Sequence, residues 1–440
     1  MVSRRVRADF TGARMASLRT SRPMNTPRAS LTPLLACALL ALVVVPTRAQ
    51  EPATRVEAIE RARREKMARL WPERESPTGA TVKRLVDRGL GTGLESGKGV
   101  NGPQIVLGGM RSGQGVSFGV GYRRADLWHE RFDVRATARG TPQLAYMLDA
   151  ELGFNSLRSD RSFAKLYVKF EHSPQMDYFG QGNESSADDR SSYLLEDLAV
   201  DTNLGLTVFR GLRLGLTAGV VSVHTGPGKR NGVPKTEDHF PLETLPGLEA
   251  DSDFGRWGSF LALDYRDNPY GPRSGGILAA RFRQYADVTR HVYSFRQTDL
   301  EFQQFIPYYN RSRVIALRLA AVMTFSDNDA SVPIYFQPTL GGNDDLRGYA
   351  RYRFHDNHTI FASVEHRWYV FSGLDMAVFA DAGKAVPHKS QLNAAELRYS
   401  GGIGFRAKFK NATIMRIDFA QGREGFRAMW TFSDIFKVNY

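Results

Sequence analysis

Three residues have types and surroundings suited to one piece of chemistry. Arg347 lies in a polar, glycine-rich stretch that reads LGGNDDLRGYARYRF from Leu340. Glu365 lies in IFASVEHRWYVF and Asp381 in GLDMAVFADAGKA, two stretches that alternate as strands do. A guanidinium keeps its charge and presents a planar fork that fits carboxylates. The reading is a loop cation held by two carboxylates inside a β-barrel. The alternative at this point is three ordinary solvated charges.

Other chemistry is thinly represented. The only cysteine, Cys37, precludes thiolate metal sites and disulfide staples in the rest of the chain. Leu34-Leu35-Ala36-Cys37 faintly resembles a lipidation site, but more apolar residues follow it. His355-Asp356-Asn357-His358 has metal-binding residue types, yet reads best as a loop surface. Asp188-Asp189 and Asp344-Asp345 read as solvated acids, or acids near lipopolysaccharide-bound cations. The expectation is a protein that is not an enzyme, with no cofactor, no metal and no catalytic residue.

The elements that must position the three residues follow from composition. Mean hydropathy is -0.35, and no long apolar run occurs outside the N-terminus, which excludes helical spans. A transmembrane barrel hides its apolar surface in alternation and stays open as an assignment. Arginines precede the apolar run Leu34 to Val45, and Thr47-Arg48-Ala49 offers a cleavage site, so 1–49 reads as a cleaved signal peptide. Met24 is an alternative start. Residues 1–49 hold eight arginines against Asp9, so +7 of the net +13 lies there and +6 remains. That surplus fits lumen and rim charges with some attraction to anionic lipid; no nucleic acid is implied.

Residues 50–102 read as a periplasmic helical leader and linker. Glu57/Arg61, Glu60/Arg64 and Glu65/Arg69 are i,i+4 pairs, and Pro72 stops the helix. From 103 to 440 the pattern is period two. Ile403, Phe405, Ala407 and Phe409 alternate with Gly402, Gly404, Arg406 and Lys408; Met415, Ile417 and Phe419 oppose Arg416 and Asp418. A charge facing lipid at mid-bilayer costs roughly 2–4 kcal/mol, so the charged face needs water or partners. About sixteen strands of this kind are expected, starting near 103, 114, 131, 143, 163, 191, 211, 257, 275, 292, 312, 358, 373, 396, 412 and 425. Long connections (174–190, 225–255 and 327–357) then share one end, and short turns such as 267–272 share the other. The fold class is all-β: a transmembrane antiparallel β-barrel with an inward-folded loop.

Several pieces together resemble the bacterial surface antigen family, the barrel superfamily of BamA, TamA and the two-partner secretion transporters. They are Leu263-Asp264-Tyr265-Arg266-Asp267-Asn268-Pro269 with Pro272 and Gly275, Gly341-Gly342 with Leu346-Arg347-Gly348-Tyr349, Ser363-Val364-Glu365-His366-Arg367, and Phe379-Ala380-Asp381-Ala382-Gly383. Phe179-Gly180-Gln181-Gly182-Asn183 is similar to a recurring loop of these proteins. The resemblance implies that 327–357 folds into the lumen, where Arg347, Gly348 and Tyr349 lock onto Glu365, Phe379, Asp381 and Gly383. It also implies a terminal-strand signal carried by Gly425, Trp430, Phe432 and Phe436, although Lys437 to Tyr440 extend past the usual aromatic end. Residues 50–102 are too few and too helical for a POTRA domain.

The resulting expectation is an outer-membrane component that assembles or translocates protein or lipid. Its expected partners are outer-membrane lipids and lipopolysaccharide, the assembly machinery for its own insertion, and a periplasmic protein. A passive small-solute channel or a structural surface barrel is the alternative.

Overall fold

The computed structural model describes residues 101–432 except 109, 112, 129–130, 156–160, 250, 327–330, 372 and 410–411; before them it describes only 61, 62 and 65, which are helical. The expected signal peptide, the rest of the leader and Phe436 lie outside the described residues.

The strands run β1 (Gly102–Leu107), β2 (Phe118–Leu127), β3 (Phe132–Gly140), β4 (Tyr146–Asn155), β5 (Ser162–Tyr178), β6 (Ser191–Phe209), β7 (Leu212–Pro227) and β8 (Ser252–Asp264). They continue as β9 (Gly275–Asp287), β10 (Phe295–Tyr308) and β11 (Arg313–Ser326), then a small ribbon of β12 (Thr339–Leu340) and β13 (Phe354–His355). The last five are β14 (His358–Phe371), β15 (Leu374–Val386), β16 (Arg398–Phe409), β17 (Ala412–Gly422) and β18 (Gly425–Thr431). All but the ribbon form one 16-stranded sheet in chain order, with every pairing antiparallel.

The sequence reading placed β8 five residues too late and β2 four too early. It also overlooked the ribbon. Residues 179–190, 228–249, 331–357 and 387–397 gather at one end of the sheet, hereafter the loop end. Connections at 210–211 and 309–312 lie at the opposite, turn end.

Alternation sorts the two faces. Leu166, Leu319, Val364, Val378 and Ile403 are exposed on the outer face, while Glu171, Asp197, Glu365, Asp381, Arg406 and Asp418 are buried on the inner one. This is the distribution of a barrel that meets lipid outside and charge partners inside.

Among the described residues no backbone ladder joins β1 to β18. The two strands there are also short. The chain just past each still meets the other: a Cβ built on Gly108 would lie 3.5 Å from the Phe432 Cβ.

Candidate functional site: an ionic dock on the inner wall

The wall formed by β14, β15, β16 and β17 presents rows of inward-facing residues. Register aligns Ser363, Asp381, Ser400 and Gly422 in one row, and Glu365, Phe379, Gly402 and Ala420 in the next. A third row carries Arg367, Ala377, Gly404 and Asp418. Carboxylates, hydroxyls and glycines thus share one surface because each strand places every second residue there.

Arg347 descends onto the first two rows. Its Nε and Nη2 donate to Asp381 Oδ2 and Oδ1 at 2.9 and 2.7 Å, and its Nη1 donates to Glu365 Oε2 at 2.9 Å. Nη2 also donates to Ser363 Oγ at 3.3 Å. The guanidinium carbon lies 3.3 Å from the centroid of the Phe379 ring, so the cation rests on a π face. Phe379 can occupy that place because its cross-strand neighbour is Gly402, whose added Cβ would lie 2.8 Å from the ring. Burial works against the Arg347 charge. The Asp381 carboxylate, then that of Glu365, outweighs it and holds the group above the ordinary arginine range.

Residues that sequence reasoning left out of the lock complete it. Arg406 donates to Glu365 at 2.8 and 3.1 Å and to Asp418 at 2.6 Å. Arg367 donates to Glu365 at 2.7 Å, and Arg416 Nε lies 3.2 Å from Asp418. Ser363 and Ser400 hydroxyls donate to Asp381 at 2.7 and 3.3 Å. Arg406, Arg416 and Asp418 were visible as polar-face residues, but their convergence depends on register and barrel curvature, which one sequence does not give.

The remaining predicted residues fall nearby. Gly348 lies backbone to backbone against β17: a Cβ there would sit 2.6 Å from Ser400 Cβ and 2.7 Å from Gly422 N. Tyr349 is buried with Leu340, Leu346, Phe354 and Phe361. Gly383 leaves room for Leu340, whose Cδ1 would lie 3.1 Å from an added Cβ. Gly425, at φ +117°, opens β18 after a tight turn. Trp430 is exposed on the outer face, and its carbonyl accepts a 3.3 Å hydrogen bond from Asn343 Nδ2. Arg416 Nη2 in turn donates to the Asn343 carbonyl, which links the folded segment to the terminal strand.

The surface reading of His355–His358 is corrected. His355, Asp356 and His358 are buried, because β13 folds inward with the segment. His355 packs edge-on against Tyr178, and its carbonyl accepts from Gly182 N at 2.7 Å.

The other end of the same segment docks differently. Val332 and Ile334 are buried with Leu195, Val221, Val223, Phe254, Tyr285 and Phe295. The Phe336 ring lies 5.0–5.4 Å from those of Phe254, Tyr285 and Phe295. Below this contact is a chamber of about 340 Å³ lined by residues including Lys169, Asp197, Asp201, Arg256 and Arg283.

Comparisons with known proteins match this architecture. The Omp85 superfamily domain matches residues 112–423. Among solved structures, the chain is similar to BamA from Haemophilus ducreyi lacking POTRA domains 1–3. That match has a TM-score of 0.56 at 16% identity and covers 81% of this chain and 78% of that one. CdiB from Escherichia coli follows at TM-score 0.47 and 11% identity, covering 79% of this chain and 70% of the other. No curated protein matches the sequence. With its family match spanning most of the sixteen-stranded sheet, the chain belongs to the Omp85 superfamily of outer-membrane barrels.

Proposed function

We propose that the chain is an outer-membrane component that assembles or translocates protein or lipid, with 327–357 plugging its lumen. The observation that carries this reading is a folded segment on the inner wall beside a seam that has no ladder among the described residues. Sixteen strands leave an aqueous channel when nothing fills them. Here Arg347 fastens a folded segment across the inner wall, while β1 and β18 share no ladder among the described residues. A barrel that keeps its pore filled and its edge open is suited to work at the seam, where unpaired strand edges can accept a client strand. Local thinning of the bilayer beside short strands would assist the same step.

In this reading the loop end faces outward among lipopolysaccharide, the turn end faces the periplasm, and a cleaved signal directs export. The assembly machinery inserts the barrel, reading the β18 region, and a periplasmic protein acts with it. The chain performs no catalytic step. The chamber beside Arg256 and Arg283 favours one rival, a small-solute channel running along the β5–β10 side.

Depletion from the native cell separates the readings. Outer-membrane proteins and surface lipids are quantified over several generations. A selective fall in other barrels supports protein assembly, and altered lipid with normal barrels supports lipid transport. No change in either contradicts the proposal and leaves the channel or structural barrel.

A further inference from the structure

The turn end carries a second fastening. Most connections there are tight, but β8 and β9 are joined by the longer stretch 265–274. This stretch is internally braced. Asp267 Oδ1 accepts from the backbone N–H groups of Asn268, Arg273 and Ser274 at 3.0–3.1 Å, and Asn268 Oδ1 accepts from Tyr270 N at 3.0 Å. Pro269 and Pro272 stiffen it further.

Braced in this way, the turn reaches strands far from its own in the sheet order. The Tyr270 carbonyl accepts from Thr413 N, at the start of β17, at 2.9 Å. Arg273 Nη2 donates to both Asp375 carboxylate oxygens, at 3.0 and 2.9 Å, on the inner face of β15. Arg273 Nη1 donates to the Arg311 carbonyl in the β10–β11 turn at 2.7 Å, and Lys408 holds Asp375 from β16 at 3.2 Å. Three strands separate β9 from β15 in the sheet order, and five separate it from β17. The turn therefore bridges the lumen mouth and does not follow its rim.

We propose that 265–274 is a latch closing the turn-end mouth, with Arg273–Asp375 as its fastening. One strand, β15, then receives an arginine from each end: Arg347 on Asp381 and Arg273 on Asp375. The upper pair is 0% exposed on both sides, whereas the lower pair is 16% and 9% exposed. Partly wetted ion pairs are weaker and easier to exchange for other partners. The lower fastening is thus the one that a periplasmic partner can release first. A solute path opens only when both arginines let go.

The test is ion conductance of the full chain in planar bilayers. Wild type, Arg347→Ala and Arg273→Ala should conduct little, and the double variant several-fold more than either single variant. A further variant guards against misfolding. Tyr270→Cys and Thr413→Cys are added to the double variant with Cys37→Ser, and the pair is joined by a short bismaleimide. Cross-linking should return conductance to the single-variant level. Full conductance from Arg347→Ala alone would overturn the latch. So would a double variant that conducts no more than either single one, or a cross-linked pair that conducts as well as the free one.

Discussion

Two of the contacts between the segment 331–357 and the barrel are chemically opposite. At 346–349 it meets β14–β17 through a buried ionic network. At 332–337 it meets β6–β10 through aliphatic and aromatic side chains. Apolar burial is non-directional and supplies free energy of about 25 cal/mol per Å². A buried ion pair spends much of its attraction on desolvation, and its net contribution is small while it remains intact. Its geometry is exacting, however. Four arginines and three carboxylates converge on that wall, among them Arg347 with Asp381, Glu365 and, at 3.8 Å, Asp418. The apolar contact holds the segment down, and the ionic contact sets where it lies.

The two contacts should break differently. Arg347→Ala should have the largest effect. Glu365 keeps Arg367 and Arg406, but Asp381 loses its one guanidinium partner among the described residues and keeps the Ser363 and Ser400 hydroxyls and the backbone N–H of residue 347. Stranding a buried charge costs about 3–5 kcal/mol. Chymotrypsin cleavage within 341–354 should accelerate by on the order of 10²–10⁴-fold if local opening is fast.

Phe336→Ala comes next. The side chain is only half-buried, so about 1–3 kcal/mol is expected, below the range for a fully buried Phe. The readout is faster cleavage near 331–337, with 346–349 still protected. Ser363→Ala should be smallest, at about 0.5–1.5 kcal/mol for one hydrogen bond to Asp381. Cleavage within 341–354 should rise by no more than about tenfold.

The same contrast explains what the sequence made legible. Glu365 and Asp381 stood out because charges on an alternating strand need inward partners, and Arg347 because a cation in a glycine-rich loop can supply one. β16 and β17 were readable for the same reason. The apolar dock was not readable. Near the loop end, Leu195, Phe254, Tyr285 and Phe295 face inward, so the apolar-out pattern fails where the folded segment covers the wall. That failure also delayed the expected start of β8, whose first turns inward are Ser252 and Phe254. Val332, Ile334 and Phe336 alternate with Pro333 and Tyr335, but they lie in a connection, where alternation alone does not name the wall they meet. The latch contacts join residues distant in sequence, Tyr270 with Thr413 and Arg273 with Asp375, and no spacing rule brings them together.

The most direct measurement is hydrogen exchange in the intact protein in lipid nanodiscs, wild type against Arg347→Ala. It follows the amides of 332–337 and 346–349 together. The account predicts that protection falls at 346–349 and persists at 332–337. Equal loss at both, or no change at 346–349, would contradict a positioning role for Arg347.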